Sequence, residues 1–206
     1  MVHDQTQTLV DQVREALTKT TPLVIEGGGT KAFMGRLTQG EGLRLGNHRG
    51  VVAHEPSELV VTALAGTPLS ELQTCLREAG QMLPFEPPAF GAAATIGGTI
   101  ACGLSGPRRP FAGAARDFVL GVRVLNGKGE ELTFGGQVMK NVAGYDLSRL
   151  MTGAMGTLGA VLEVSLKVLP IPALEQTLAF EMSAEKALQA LSDWGGSPLP
   201  ISAACH

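Results

Sequence analysis

The residues of this chain that could do chemistry sit in three short glycine-bearing stretches. The first is Gly27-Gly28-Gly29-Thr30 with Lys31 behind it, running out of the apolar triplet Leu23-Val24-Ile25. Consecutive glycines accept either sign of φ, so successive N–H groups can be aimed at one point. That makes an anion-binding nest suited to a diphosphate; a flexible turn is the competing reading of the same triplet. The second stretch is Ala94-Thr95-Ile96-Gly97-Gly98-Thr99-Ile100. Its small residues would let a flat ligand lie against main chain, and close packing of two backbones is the alternative. The third joins Lys140-Asn141-Val142-Ala143-Gly144-Tyr145-Asp146 to the run Gly153–Gly159. Here Tyr145 is expected to pack with its hydroxyl bonded locally, and Lys140 to be a surface charge.

Two familiar phosphate motifs fail against these stretches. Lys31 lacks the G-x-x-x-x-G-K-[ST] spacing and Lys128 is followed by Gly129. A G-x-G-x-x-A pattern can be laid over Gly27, Gly29 and Ala32, but residues 33–46 have no amphipathic helical period and no acid ends a second strand. The sequence offers no His–Asp pair and no metal-ligand cluster, so no metal site is expected and the catalytic residues are unknown. Cys75, Cys102 and Cys205 lie far apart without a C-x-x-C, which excludes a zinc ribbon or an iron–sulfur site built by this chain alone. Arg108-Arg109 could clamp an anion and is read as a solvated basic turn.

Composition narrows the class. Glycine is 27 of 206 residues, about twice the usual ~7%, and it is clustered rather than periodic. With 44% hydrophobic and 17% charged residues the chain can bury a core. The net charge of -3 leaves no basic field for nucleic acid. The polar N-terminus is not a signal peptide, and no apolar run approaches the ~20 residues of a transmembrane helix.

These stretches have to be positioned by alternating elements. Residues 5–19 predict a helix with Leu9, Val10, Val13, Ala16 and Leu17 on one face. Leu23–Ile25 predicts a short buried strand and residues 31–50 loop with short strands. Leu59–Ala65 predicts a strand, and Thr67-Pro68 an N-cap and first turn for a helix carrying Leu69, Leu72, Leu76 and Ala79 up to Gly80. Residues 84–113 show no useful period and read as irregular backbone wrapped around a ligand. Residues 118–134 predict a hairpin with an Asn126-Gly127 turn. Asp146 is expected to cap a short helix through Leu147, Leu150 and Met151, closed by Gly153. Leu162–Val168 alternates as a half-buried strand. Beyond Pro170 and Pro172 a strand over 177–180 and a helix over 184–194 are expected, the start of a second unit.

The order GGGTK, ATIGGTIACGLSGP, then KNVAGYDLSRLMTGAMGTLGAVLEVSLKVLP resembles the FAD-binding domain of the vanillyl-alcohol-oxidase or PCMH type. More closely, the phrases EPPAFG, GLSGPRRP, RDFVLGVRVL and GGQVMKNVAGYDLSRLM are similar to those of the FAD-binding subunits of bacterial glycolate oxidases. The resemblance covers roughly the whole chain. It implies an α+β fold of two α+β subdomains with FAD extended between them. That FAD-binding domain would span 1–172, and 173–206 would begin an incomplete cap or substrate domain. Family members run well past the equivalent of residue 206, so the resemblance implies a fragment or a gene cut short.

It also implies site residues. Gly27, Gly28, Gly29, Thr30 and Lys31 would form the first pyrophosphate loop. Pro88 and Ala94, Thr95, Ile96, Gly97, Gly98 and Thr99 would form the second stretch, running toward the flavin. Gly103, Leu104, Ser105 and Gly106 would line the flavin side. Gly156, Gly159, Val161 and Leu162 would lie in the segment whose backbone edge faces the adenine or ribityl portion. Related D-lactate enzymes carry an acid where this chain has Met155. None of His3, His48, His54 and His206 sits in a glycine loop, and Cys102 reads as a packing residue, so noncovalent FAD is expected. The implied function is the FAD-bearing component of a 2-hydroxy-acid (glycolate) dehydrogenase or oxidase, inactive alone. Its implied partners are a second flavin subunit and an iron–sulfur subunit. A non-catalytic FAD-binding scaffold or inactive fragment is the alternative. The implied location is cytoplasmic, or peripheral at the inner membrane through partners. The whole reading requires the three glycine stretches to converge in space.

Overall fold

The structure is a computed structural model and describes residues 1–136 and 145–206. Its helices are α1 (Thr6–Lys19), α2 (Leu69–Glu78), α3 (Ile96–Cys102), α4 (Arg109–Ala112), α5 (Leu147–Met151) and α6 (Ala184–Gly195). Its strands are β1 (Leu23–Glu26), β2 (Glu41–Arg44), β3 (Val51–Glu55), β4 (Val60–Leu64), β5 (Gln81–Met82), β6 (Val119–Leu125), β7 (Glu131–Gly135), β8 (Ala160–Lys167) and β9 (Leu169–Pro170). Two sheets matter for the site. β1 and β2 pair in parallel over their full length, from Leu23↔Glu41 to Glu26↔Arg44. The larger sheet runs β3-β4-β8-β6-β7, antiparallel at every step. The architecture is α+β, as expected.

β8 is the central strand because its alternation serves two faces. Leu162, Val164 and Leu166 are fully buried on one side, with Val61 and Ala63 of β4 and Val122 of β6 in the same core. α2 adds Leu69, Leu72 and Leu76 to that core, and α3 adds Ile96 and Ile100. Each such side chain contributes about 1.5–3 kcal/mol by leaving water. On the opposite face Thr62 and Ser165 share a hydrogen bond across the β4–β8 pair at 2.8 Å. There Arg123 also reaches Glu131 at 3.0 Å, Asp4 at 3.4 Å and Glu163 at 3.5 Å.

Several expectations need correction. Leu17 is exposed, because the buried stripe of α1 stops at Leu9, Val10, Val13 and Ala16. β1 is not a buried strand: Leu23 and Val24 are half-buried and Ile25 and Glu26 exposed, since a two-stranded sheet covers them on few sides. Thr67 does not cap α2. Its hydroxyl donates to the Leu64 and Gly50 carbonyls and accepts from Gly50 N–H, while Pro68 occupies the cap position. β3 was not foreseen; Val52 and Glu55 point outward and mask its alternation. Residues 84–113 are not wholly irregular, for they hold α3 and α4. In the 126–130 turn the left-handed residue is Gly129 (φ 71), and the Asn126 carboxamide oxygen accepts from Lys128 and Glu130 N–H instead of leading a two-residue turn. Tyr145 is exposed rather than packed. Asp146 does cap α5, its carboxylate accepting from Arg149 N–H at 3.1 Å.

In the region 171–206 the only regular element is α6, so the strand expected over 177–180 is absent. α6 buries only Ala187, and Leu188 is exposed. Phe180 packs on Trp194 with ring centroids 5.5 Å apart. The region is tied back through Glu175, whose carboxylate pairs with Arg108 and accepts from Ser202. Arg108 is therefore no solvated turn: it is 8% exposed and lies between Glu175 and Glu86.

Candidate functional site

The glycine triplet begins where β1 ends and lies against the stretch before α3. A β-carbon on Gly27 would stand 2.5 Å from the Thr95 hydroxyl oxygen, and one on Gly28 would overlap the Ala93 carbonyl oxygen. Side chains are thus excluded by contact, so Gly27 and Gly28 are packed on that side, which the flexible-turn reading of the triplet does not describe. Gly29 differs: it is left-handed (φ 68), and nothing lies within 4 Å of its missing side chain. The side-chain direction at Gly29 is open space, and its left-handed φ is one that a nest uses. Thr30 closes the clasp by donating its hydroxyl to the Ala89 carbonyl at 3.1 Å.

The third stretch joins the same place. Gly153 N–H donates to Ile100 O at 3.0 Å and Met155 N–H to Ala101 O at 2.8 Å, docking 153–155 on the end of α3. Gly103 ends α3 in the left-handed conformation (φ 63), with Gly153 3.0 Å from where its β-carbon would be. Gly156 packs against Ile25 of β1, and Met155 reaches toward Gly35. The segments 27–31, 89–103 and 153–156 therefore converge around the end of β1. Lys140–Gly144, the rest of the third motif, lie outside the described residues.

Not every candidate residue is brought to that convergence. Gly27–Lys31, Pro88, Gly98, Gly103, Leu104, Ser105, Gly106 and Gly156 are exposed or half-buried. Ala94, Thr95, Ile96, Gly97 and Thr99 are buried, and Gly97 is pressed to Ala65, just past the end of β4, with 2.5 Å between would-be and actual β-carbons. Thr95 caps α3, its hydroxyl accepting Gly98 N–H at 3.2 Å. Ser105 accepts Ala115 N–H at 2.9 Å. Gly159 sits at the start of β8 with φ 136. Val161 and Leu162 lie inside β8, whose two edges are taken: Val161 pairs with Val124, and the Leu162 carbonyl accepts from Ala65 N–H and His48. Their backbone is occupied by the sheet.

A groove of about 340 Å³ opens beside the triplet, lined by Glu26, Gly27, Gly28, Gly29, Arg44 and Asn47 with Gly46. Arg44 stands 3.6 Å from Glu26, both well exposed, so the pair adds little stability and the guanidinium stays accessible. A larger hollow of about 510 Å³ lies on the outer face of α2 by Cys75, Glu71 and Glu78. Burial, with both glutamates, pushes the Cys75 thiol up, so it is no thiolate nucleophile. Its sulfur lies 3.7 Å from His54 Nδ1, and His54 Nε2 is bonded to Gln81 at 2.8 Å. Burial likewise raises the Cys102 thiol, against the opposing pull of Lys31. Arg44, Asn47, Phe33 and Phe90 were missed from sequence. Arg44, Asn47 and Phe33 sit in none of the quoted motifs and Phe90 lies in EPPAFG, a phrase that gives its ring no role; only the fold sets Arg44 and Asn47 in the groove and Phe33 against Phe90.

The frame is α+β, with glycines where side chains cannot fit, open space beside Gly29, and a groove next to them. These features fit a diphosphate-bridged cofactor. The family described as the FAD binding domain matches residues 2–135, and this chain belongs to it. The chain is 53% identical over 203 residues to glycolate oxidase subunit GlcE of Escherichia coli K12, covering 98% of this chain and 58% of that protein. It is 34% identical over 175 residues to glycolate oxidase subunit GlcD of Bacillus subtilis 168, covering 84% of this chain and 37% of that one. A solved alkyldihydroxyacetonephosphate synthase superposes with TM-score 0.67 at 22% identity, over 84% of this chain and 31% of its own, a likeness of fold. The chain thus spans little more than half the length of the E. coli relative. Its cofactor is FAD. Among the described residues no helix is long and apolar enough to cross a membrane, and no three His, Cys, Asp or Glu side chains gather to hold a metal.

Proposed function

We propose that the chain is the FAD-bearing component of a 2-hydroxy-acid oxidising complex, with glycolate or a near relative as substrate and electrons leaving to an iron–sulfur subunit. The observation that carries this is the 53% identity across 98% of the chain to a protein named as a glycolate oxidase subunit. Gly27–Lys31 would hold the diphosphate by main-chain N–H groups, with Pro88 and Ala94–Thr99 as the opposite wall. Gly103–Gly106 would flank the flavin, and Gly156 and Gly159 would support the remainder, while Val161 and Leu162 serve the sheet. FAD, when bound, supplies the two-electron acceptor for oxidation of a carbon bearing a hydroxyl.

In this reading the chain's own residues bind and orient the cofactor. His48 is fully buried between Gln5 N–H and the Leu162 carbonyl. His54 is held between Cys75 and Gln81. Neither is free to take a proton from a substrate hydroxyl. Residues 1–172 would be the cofactor domain and 173–206 the first part of a substrate domain. The protein would work in the cytoplasm, or at the inner membrane through its partners. The engagement of both histidines equally favours a non-catalytic scaffold that only holds FAD.

The deciding experiment is spectral. Purified chain is expected to be yellow and to release FAD on acid treatment; colour retained on the polypeptide would contradict noncovalent binding. Reconstituted with its flavin and iron–sulfur partners, it is expected to be bleached by glycolate. The isolated chain should stay oxidised. Rapid bleaching of the isolated chain would overturn the division of labour, and no bleaching in the full complex would leave the scaffold.

A further inference from the structure

Phe33 and Phe90 meet edge to face beside the glycine clasp, ring centroids 5.2 Å apart at 72°. They are 68% and 54% exposed, and neither belongs to the buried core. Their loops are joined at the clasp itself: the Thr30 hydroxyl donates to Ala89 O, next to Phe90, and Gly91 packs against the Thr30 methyl group. The arrangement is held against local preference. Phe90 takes φ 54, a left-handed conformation that bulky residues avoid and that clusters at ligand clamps. Such a pair exposes apolar surface to water without stabilising the core.

We propose that Phe33 and Phe90 form a stacking platform for one planar ring of the bound dinucleotide. The proposal rests on the reading of Gly27–Lys31 as the diphosphate cradle. A diphosphate seated there must send its two ring systems away along the walls of the clasp, and Phe33 and Phe90 stand next to the clasp on the side that Thr30 and Ala89 close. The edge-to-face geometry leaves ring faces open to accept a third ring. Aromatic stacking on a heterocycle is sequence-tolerant and changes affinity by roughly five- to a hundredfold.

The test uses the full chain with Phe33→Leu and Phe90→Leu, which keep apolar bulk and remove the π face. Dissociation constants for FAD, FMN and ADP are measured by calorimetry, together with fluorescence of the bound flavin. Each variant is expected to bind FAD about tenfold more weakly. Parallel loss of ADP affinity would put the adenine on the platform. Loss for FMN with recovered flavin fluorescence, and ADP unchanged, would put the flavin there. FAD binding within twofold of the parent in both variants overturns the proposal, and the pair is then a protein contact. Phe90→Gly removes the left-handed strain with the ring. It should melt no earlier than the parent without FAD and still bind FAD more weakly, which separates ring loss from unfolding. Gly29→Asp reports the cradle independently. Intact FAD affinity in that variant sinks the cradle reading, whereas loss there with none in the leucine variants sinks the platform alone.

Discussion

The main chain at Gly28 runs so close to the carbonyl oxygen of Ala93 that no β-carbon fits between them. Two segments far apart in sequence are pressed together there, with Gly27 against Thr95 on one side and Thr30 bonded to Ala89 on the other. The clasp is made of absent side chains, and its outward face is peptide.

Gly28→Ala is expected to push the 92–94 segment away and destabilise the chain by about 1–3 kcal/mol, the usual cost of overpacking. At this chain length that is a fall in melting temperature of roughly 2–10 °C. A thermal melt with and without FAD checks it. The stabilisation that FAD confers should shrink in the variant; undiminished stabilisation would place the cofactor elsewhere.

Gly29 separates charge from shape. Asn and Asp both tolerate the left-handed φ of this position and are nearly the same size. With nothing within 4 Å of the site, either substitution should fold. Gly29→Asp is expected to weaken FAD binding at least tenfold beyond Gly29→Asn, because only the carboxylate repels a diphosphate. Equal affinities would mean that no anion sits there.

Arg123 gathers Asp4, Glu131 and Glu163, and also donates to the Thr6 hydroxyl at 3.0 Å. Its side chain is 16% exposed, while the carboxylates are more open to solvent. Arg123→Met should therefore cost about 1–3 kcal/mol, less than the ~3–5 of a fully buried pair. Burial raises the Asp4 carboxyl, but the Thr6 hydroxyl and amide, with Arg123 and His48, outweigh it and hold it below its ordinary value. Stability from Asp4 is present above pH 3.8 and is lost as pH falls through the lower folded value. Acid titration of stability should show a smaller loss in that window for Arg123→Met.

His48 is a buried neutral imidazole. Gln5 N–H donates to Nδ1 at 2.9 Å, and Nε2 donates to Leu162 O at 3.0 Å. Burial lowers its pKa, Arg123 adds to that, and the opposing pull of Asp4 is smaller. An unfolded histidine binds a proton before the folded one does, so stability is full above pH 6.5 and falls as pH drops below it. Denaturant melts from pH 8 to 5 should show that fall; in His48→Gln the curve should be flatter and start lower. An unchanged slope would mean that His48 is protonated in place.

Much of the frame was legible because its signals are local. The stripe Leu9-Val10-Val13, the alternation of Leu162, Val164 and Leu166, the Asp146 cap and the 118–134 hairpin are each written within one element. β3 escaped because its outward residues, Val52 among them, break the polar alternation. α3 escaped because two adjacent glycines open it, and Gly97 is held there by its fit against Ala65.

The residues of this chain determined by themselves that glycines would cluster at 27–29, 97–98 and 153–159, and that their order matched an FAD-binding pattern. Only the tertiary structure decided which glycines are packed and which are open. Gly28 and Gly97 are small because a neighbouring backbone or side chain fills their space; Gly29 is small with that space left empty. The same holds for Arg108, a solvated turn by sequence and in the fold a buried guanidinium paired with the more exposed carboxylates of Glu86 and Glu175, and for Phe33 beside Phe90. Contacts between distant segments depend on how the chain closes on itself, and no local period carries that information.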